Sequence, residues 1–311
     1  MNIVGLDSLI FGVDDLDASF RCLQDYGLIC VERTPSGAVF EALDGTSAVV
    51  RIAGDAGLAE AFAPSPNIRE TIYGVADRQT LEQIGAELSK DRDAKLGSDG
   101  VLRCKDDSGI PIGFRVTTRR TIQAPPSLIN VPGMPPQRPV NQVAADPNAV
   151  CTPRTLSHVV YFVPDVAKAE RFYCERLGFR VSDRFTNAGP FLRPAGTFEH
   201  HCLFLIQAPA HMLGLNHFTF HMADANEMLQ AGWRFRDKGW KGFWGPGRHI
   251  MGSNYFWYFN SPFGGAIEFD ADMDLHDDSW VPRAVAADEQ SSQIYLFDYR
   301  PLWSPNGKSE H

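Results

Sequence analysis

The sequence predicts an α+β protein of two tandem domains, each built of two βαβββ modules that form a concave, barrel-like sheet. Three observations predict it. The length, 311 residues, suits about two ordinary domains. The two halves repeat one order of apolar strands, acid-capped helices and glycine turns. Between them, residues 119–154 are rich in Pro, Asn and Gln and read as a linker.

The first domain, residues 1–118, opens with Leu6-Asp7-Ser8-Leu9-Ile10-Phe11-Gly12-Val13, an apolar strand that runs into Asp14 and Asp15 as an acidic helix start. The helix stops at the glycine turn Asp25-Tyr26-Gly27-Leu28, so it carries the punctuation expected at both ends. Arg69 to Asp77 reads as a strand leading into a helix over Arg78–Leu88, and Asp107 to Phe114 as a turn and closing strand. The second domain, residues 155–283, repeats this order. Leu156 to Val163 is its first strand, Arg176-Leu177-Gly178-Phe179 its helix stop, and Asn216 to Asp224 the strand before a helix over Ala225–Phe235. Pro262 to Phe269 closes it. Residues 284–311 form a tail whose Tyr295, Phe297, Tyr299 and Trp303 suggest packing on the domain or on a neighbouring subunit.

Aligning the halves puts Ser8 opposite His158, Glu70 opposite His217 and Gly113 opposite Glu268. Alone, each residue of the second set reads as an ordinary buried histidine or a paired carboxylate. As a set they differ, because two imidazoles and one carboxylate in apolar strands are costly to bury unless something compensates them. That set is the one associated with non-haem Fe(II), which leaves further coordination positions open for substrate and oxygen. The first half keeps the framework without the ligands, so it is expected to be metal-free.

Composition excludes other classes. Apolar residues at 44% and charged residues at 22% describe a globular chain, and a net charge of −9 gives no basic footprint for nucleic acid or anionic membranes. No apolar run approaches a membrane span, and Met1 to Val13 lacks the basic residues that open a secretory signal. Six cysteines without a CxxC pair read as reduced thiols, which points to the cytoplasm. His221 is expected to be structurally buried, and His211 and His276 to be solvated. The acidic run Asp270, Asp272, Asp274, Asp277 and Asp278 lacks a Ca2+ loop pattern and reads as a solvated connection. Phe185, Phe191, Leu192 and Trp257 are candidates to line a pocket.

The duplicated pattern, the His158, His217, Glu268 order and the stretch Gly245-Pro246-Gly247-Arg248-His249 followed by Tyr258 resemble the type I extradiol catechol dioxygenases of the vicinal oxygen chelate superfamily. The resemblance implies Fe(II)-dependent ring cleavage of a catechol-type diol with O2 as co-substrate, Mn(II) being the other candidate metal. It implies metal ligands at His158, His217 and Glu268, an acid/base histidine at His201, and a substrate-binding pair at His249 and Tyr258. His201 has His200 beside it, and strand alternation would point the two rings to opposite faces; the resemblance implies His201, because the apolar positions that follow it fit the family's register better. A homo-oligomer is implied by the same resemblance. Two other functions use the same fold: glyoxalase-like metal-dependent isomerisation or lysis, and metal-free binding of a small molecule.

Overall fold

The computed structural model describes residues 1–62, 67–124, 128–146 and 148–297. Four βαβββ modules follow one another. The first comprises β1 (Ile3–Val13), α1 (Leu16–Tyr26), β2 (Ile29–Thr34), β3 (Gly37–Glu41) and β4 (Ser47–Ile52). The second comprises β5 (Asn67–Val75), α2 (Arg78–Leu88), β6 (Lys95–Leu96), β7 (Leu102–Lys105) and β8 (Pro111–Val116). Together they make an eight-stranded sheet in the order β2-β3-β4-β1-β5-β8-β7-β6.

The third module has β9 (Thr155–Val163), α3 (Val166–Arg171, continued by a π-helical turn at Phe172–Arg176), β10 (Phe179–Phe185), β11 (Gly189–Pro194) and β12 (Leu203–Gln207). The fourth has β13 (Gly214–His221), α4 (Ala225–Asp237), β14 (Gly242–His249), β15 (Tyr255–Asn260) and β16 (Ala266–Ala271). The second sheet does not stop at residue 283. β17 (Arg283–Val285), α5 (Glu289–Ser292) and β18 (Gln293–Leu296) follow, giving the order β17-β10-β11-β12-β9-β13-β16-β15-β14-β18. The sequence tail therefore adds both edge strands, and Tyr299 and Trp303 lie outside the described residues.

Helix ends follow the sequence signals. Asp15, Asp77, Asp165 and Asp224 each cap a helix by accepting from a backbone N–H of its first turn, satisfying a donor that has no intrahelical partner. Gly27 closes α1 at φ +111°, and a Cβ there would overlap the Cys151 carbonyl, so both the turn and the close approach need glycine.

The two halves share one framework down to the register. In the first sheet Ser8 pairs with Ile72 and Ile72 with Gly113; in the second His158 pairs with Thr219 and Thr219 with Glu268. Likewise Ile10 pairs with Glu70, and Val160 with His217. The first half also buttresses the second. The Tyr26 hydroxyl donates to the Glu268 backbone carbonyl at 2.6 Å, and its ring stacks on Phe269 with centroids 4.1 Å apart. No helix among the described residues is long and apolar enough to cross a membrane.

Candidate metal centre

Adjacent strands β9, β13 and β16 carry His158, His217 and Glu268 on one face of the second sheet, all buried. The Nε2 atoms of the two histidines are 3.2 Å apart, and Glu268 Oε2 lies 3.1 Å from one and 3.4 Å from the other. One ligand atom from each residue falls within 4.8 Å of the others. Among the described residues no other cluster offers this.

The electrostatics point the same way. Glu268 is 0% exposed, and neither carboxylate oxygen has a hydrogen-bond partner. Burial pushes His217 down to about 3, so this ring is neutral and its lone pair is free for a metal. A buried anion without donors, between imidazoles, fits a divalent cation and fits little else.

Each histidine is held by the residue that precedes it. His158 Nδ1 lies 2.9 Å from Ser157 Oγ, and His217 Nδ1 is hydrogen-bonded to Asn216 Oδ1. Both rings therefore point Nε2 at Glu268.

The cluster opens into a cavity of about 570 Å³. Its walls include Val160, Phe185, Phe191, Phe204, Ile206 and Met251, and among its described lining residues there is no Lys, Arg, Asp or Glu. His201, His249 and Tyr258 all line it.

His201 is the cavity-side member of the histidine pair, its ring centroid 4.2 Å from that of His158. His200 lies behind it. His200 Nε2 faces Asp183 Oδ2 at 2.9 Å, so that nitrogen carries the proton. His200 Nδ1 is then an acceptor, and His201 Nδ1, 2.9 Å away, must donate to it. His201 is thereby fixed as the tautomer whose Nε2 is a base, and burial holds its pKa well below the usual histidine value. At the opposite wall, His249 Nδ1 donates to the Ser292 carbonyl at 3.0 Å. Its Nε2 therefore accepts from the Tyr258 hydroxyl at 3.1 Å.

Several sequence expectations need correction. His276 is 9% exposed, not solvated, because Trp280 folds back and stacks on it at 3.8 Å. Asp270 is not part of a solvated run. It lies two residues beyond Glu268 on β16, hence on the same buried face, and is 2.9 Å from His221 Nδ1. Leu192 and Trp257 belong to the hydrophobic core, because their neighbours Phe191 and Tyr258 take the cavity face of each strand. Ser157, Asn216, Asp183 and Ser292 escaped the sequence reading. The available signal was position, since Ser157 and Asn216 directly precede the two histidines.

Comparison with known proteins gives consistent relatives. The family model of the Glyoxalase/Bleomycin resistance protein/Dioxygenase superfamily matches residues 155–269. Metapyrocatechase 2 of Cupriavidus necator is 32% identical over 228 residues, which span 72% of this chain and 67% of that protein. Among solved structures, the Mn(II)-bound glyoxalase from Novosphingobium aromaticivorans matches with a TM-score of 0.74 at 21% identity, over 94% of this chain and 90% of that one. The 2,3-dioxygenase LapB from Pseudomonas sp. KL28 matches with a TM-score of 0.71 at 18% identity, over 92% and 98%. At these identities the two solved structures share the fold with this chain.

Proposed function

Because the chain belongs to the extradiol catechol dioxygenases of the vicinal oxygen chelate superfamily, we propose that it opens the ring of a catechol-type substrate with O2, using Fe(II), or Mn(II), held by His158, His217 and Glu268. The observation that carries this reading is the unpartnered Glu268 carboxylate, buried between two imidazoles that themselves line a largely apolar cavity. When bound, the metal supplies a template for two vicinal substrate oxygens and for O2, and acidifies the hydroxyl it holds.

The chain's own residues do the rest. His201, with Nδ1 donating to His200, offers Nε2 as the base that takes a hydroxyl proton and later returns it. The Tyr258 hydroxyl, which donates to His249 Nε2, turns its one proton to the anionic substrate oxygen when substrate enters, and His249 holds it at that edge of the cavity until then. Phe191 and Phe204, stacked at 4.0 Å, wall off water beside His201, which strengthens these polar contacts. The product is a ring-opened semialdehyde or its keto counterpart, as in the catabolism of aromatic compounds.

The cavity also selects the ring. Its size falls in the range of roughly 300–1,000 Å³ for small-molecule sites. Its described walls are mostly aromatic and aliphatic, with Asn254, Asn260 and Ser261 as neutral polar groups, and carry no Lys or Arg, so the substrate is a catechol bearing an uncharged alkyl or aryl group rather than a carboxylate. Each apolar carbon buried there contributes about 0.8 kcal/mol, roughly fourfold in affinity. Six free cysteines suit a reducing cytoplasm, and a homo-oligomer is the assembly we expect.

The test is to load the protein with Fe(II) without air, add a panel of alkyl-, aryl- and carboxyl-substituted catechols, and then admit air. O2 uptake with a yellow product supports the reading, and absence of uptake with every catechol overturns it. Metal-dependent turnover without O2 uptake would point to the isomerase chemistry of the same fold.

A further inference from the structure

We propose that Ser157, Asp270 and His221 form a positioning network that holds the His158 imidazole in the one orientation and tautomer able to bind the metal, an inference that rests on the metal reading above. Ser157 Oγ donates to Asp270 Oδ2 at 3.3 Å and lies 2.9 Å from His158 Nδ1. Asp270 Oδ2 is itself 3.9 Å from that nitrogen. The other Asp270 oxygen lies 2.9 Å from His221 Nδ1 and accepts from Thr219 Oγ1 at 3.4 Å. Ser157, Asp270, Thr219 and His221 are all buried.

The hydrogen bond from Ser157 to Asp270 selects one arrangement. With the Ser157 hydroxyl proton directed to the Asp270 oxygen, the Ser157 oxygen is left as the acceptor. That oxygen takes the Nδ1 proton of His158, and Nε2 keeps its lone pair toward His217 and Glu268. The opposite tautomer would put an N–H among the ligand atoms and leave Ser157 Oγ facing a bare lone pair. His221 completes the chain by anchoring Asp270 from behind, its Nε2 facing Glu199 at 3.5 Å.

The first half of the molecule is a built-in comparison. Its register equivalents of Ser157, Asp270 and His221 are Asp7, Arg115 and Gly74; Gly74 pairs with Arg115 as His221 pairs with Asp270. There Asp7 forms an ion pair with Arg115 at 3.0 Å and fills the space that a side chain on Gly74 would need. Ser8, in the place of His158, hydrogen-bonds Ser47 instead, at 2.8 Å. The framework thus closes the same corner with Asp7 held by Arg115, Arg119 and the Thr117 hydroxyl, and with no histidine. The Ser–Asp–His chain occurs only in the half that carries the ligands, so metal binding explains it and folding does not.

The experiment titrates Mn(II) into metal-stripped full-length protein against a competing chelator, and records the visible spectrum of the Co(II)-loaded form. Asp270→Ala is expected to weaken Mn(II) binding about 10- to 100-fold, the usual cost of losing such a support, and to change the Co(II) bands. Asp270→Asn, which keeps an acceptor oxygen for Ser157, should recover most of the affinity. Ser157→Ala, a smaller deletion, should move both readouts the same way and carries the test if Asp270→Ala does not fold. Folded Asp270→Ala and Ser157→Ala proteins with wild-type Mn(II) affinity and an unchanged Co(II) spectrum, whatever their Tm, overturn the inference. A wild-type chain that takes up neither Mn(II) nor Co(II) overturns the metal reading itself.

Discussion

Replacing His201 and His200 one at a time separates a proton-transfer role from a positioning role. Both rings are buried and their Nδ1 atoms are 2.9 Å apart, yet only His201 reaches the cavity. His201→Ala removes the base beside the substrate. A positioned proton-transfer group is worth about 10²–10⁴-fold, so kcat should fall at least about 100-fold. His200→Ala leaves the base in place but removes the acceptor that fixes its tautomer. One such hydrogen bond contributes about 1 kcal/mol, so His201 would hold the wrong tautomer more often and kcat should fall only about fivefold.

Stability should divide in the opposite sense. His200 partners Asp183, a buried carboxylate that otherwise relies on Arg283. His200→Ala should therefore cost about 1–3 kcal/mol of folding stability through the weakened partner. The assay is initial-rate formation of ring-opened product with parallel O2 uptake, normalised to bound metal, alongside urea unfolding. If metal-replete His200→Ala is as crippled as His201→Ala, or if His201→Ala keeps more than about a tenth of wild-type kcat, the tautomer argument is wrong.

Tyr258→Phe keeps the ring packing against Trp244, centroids 5.0 Å apart, but loses the hydroxyl. A hydrogen bond to a charged oxygen is worth about 1.5–3 kcal/mol, so kcat/KM should drop about 10- to 150-fold with metal content unchanged; a drop under threefold would remove Tyr258 from substrate binding. Burial raises the Asp106 carboxyl from 3.8 to about 6, so the folded state holds the proton more tightly than the unfolded chain does. Its stability contribution is therefore complete below about pH 4 and is lost as pH rises through about 6, by at most about 3 kcal/mol. Asp106→Asn keeps an oxygen for the Ser108 and Ile110 N–H groups, so it should gain stability over wild type between pH 4 and 7 in urea unfolding; a pH-independent difference would contradict the burial argument. Installing all three ligands in the first half, as Ser8→His, Glu70→His and Gly113→Glu together, should create no second metal site. A Cβ at position 113 sits 2.8 Å from Val101 Cγ1, and Asp7 occupies the place of Ser157, so metal analysis showing two tightly bound equivalents per chain would refute the claim that the network is needed.

How much could be read without coordinates depended on whether a residue's neighbours lay along the chain or across it. The four modules were legible because strand alternation, Asp caps and the turns at Gly27 and Gly178 are local signals, repeated in the two halves. The edge strands β17 and β18 were not legible. They are three and four residues long, carry no clear alternation, and exist because β10 and β14 offer them open hydrogen bonds. His276 shows the same limit, since its burial is supplied by the returning Trp280 ring. Asp270 was a failure of a different kind. Its alternation with Glu268 was visible, but four further acidic residues downstream made it look like the start of a solvated run.

The repeat makes the cost of the centre unusually open to inspection. Ser8, Glu70 and Gly113 occupy the same register positions as His158, His217 and Glu268, so differences between the two corners are differences of side chain on one backbone plan. In the first half the buried carboxylate of Glu70 is answered by Arg103 at 2.9 Å, and Asp7 by Arg115. In the second half no Lys or Arg answers the Glu268 carboxylate, although its backbone carbonyl accepts from both Tyr26 and Thr219. A fold that could place an arginine opposite a buried glutamate in one half, and places two imidazoles there in the other, is not short of ways to neutralise charge. On the metal reading proposed above, the charge at Glu268 is left for a cation that is not part of the chain, and Ser157, Asp270 and Asn216 aim the imidazoles toward it.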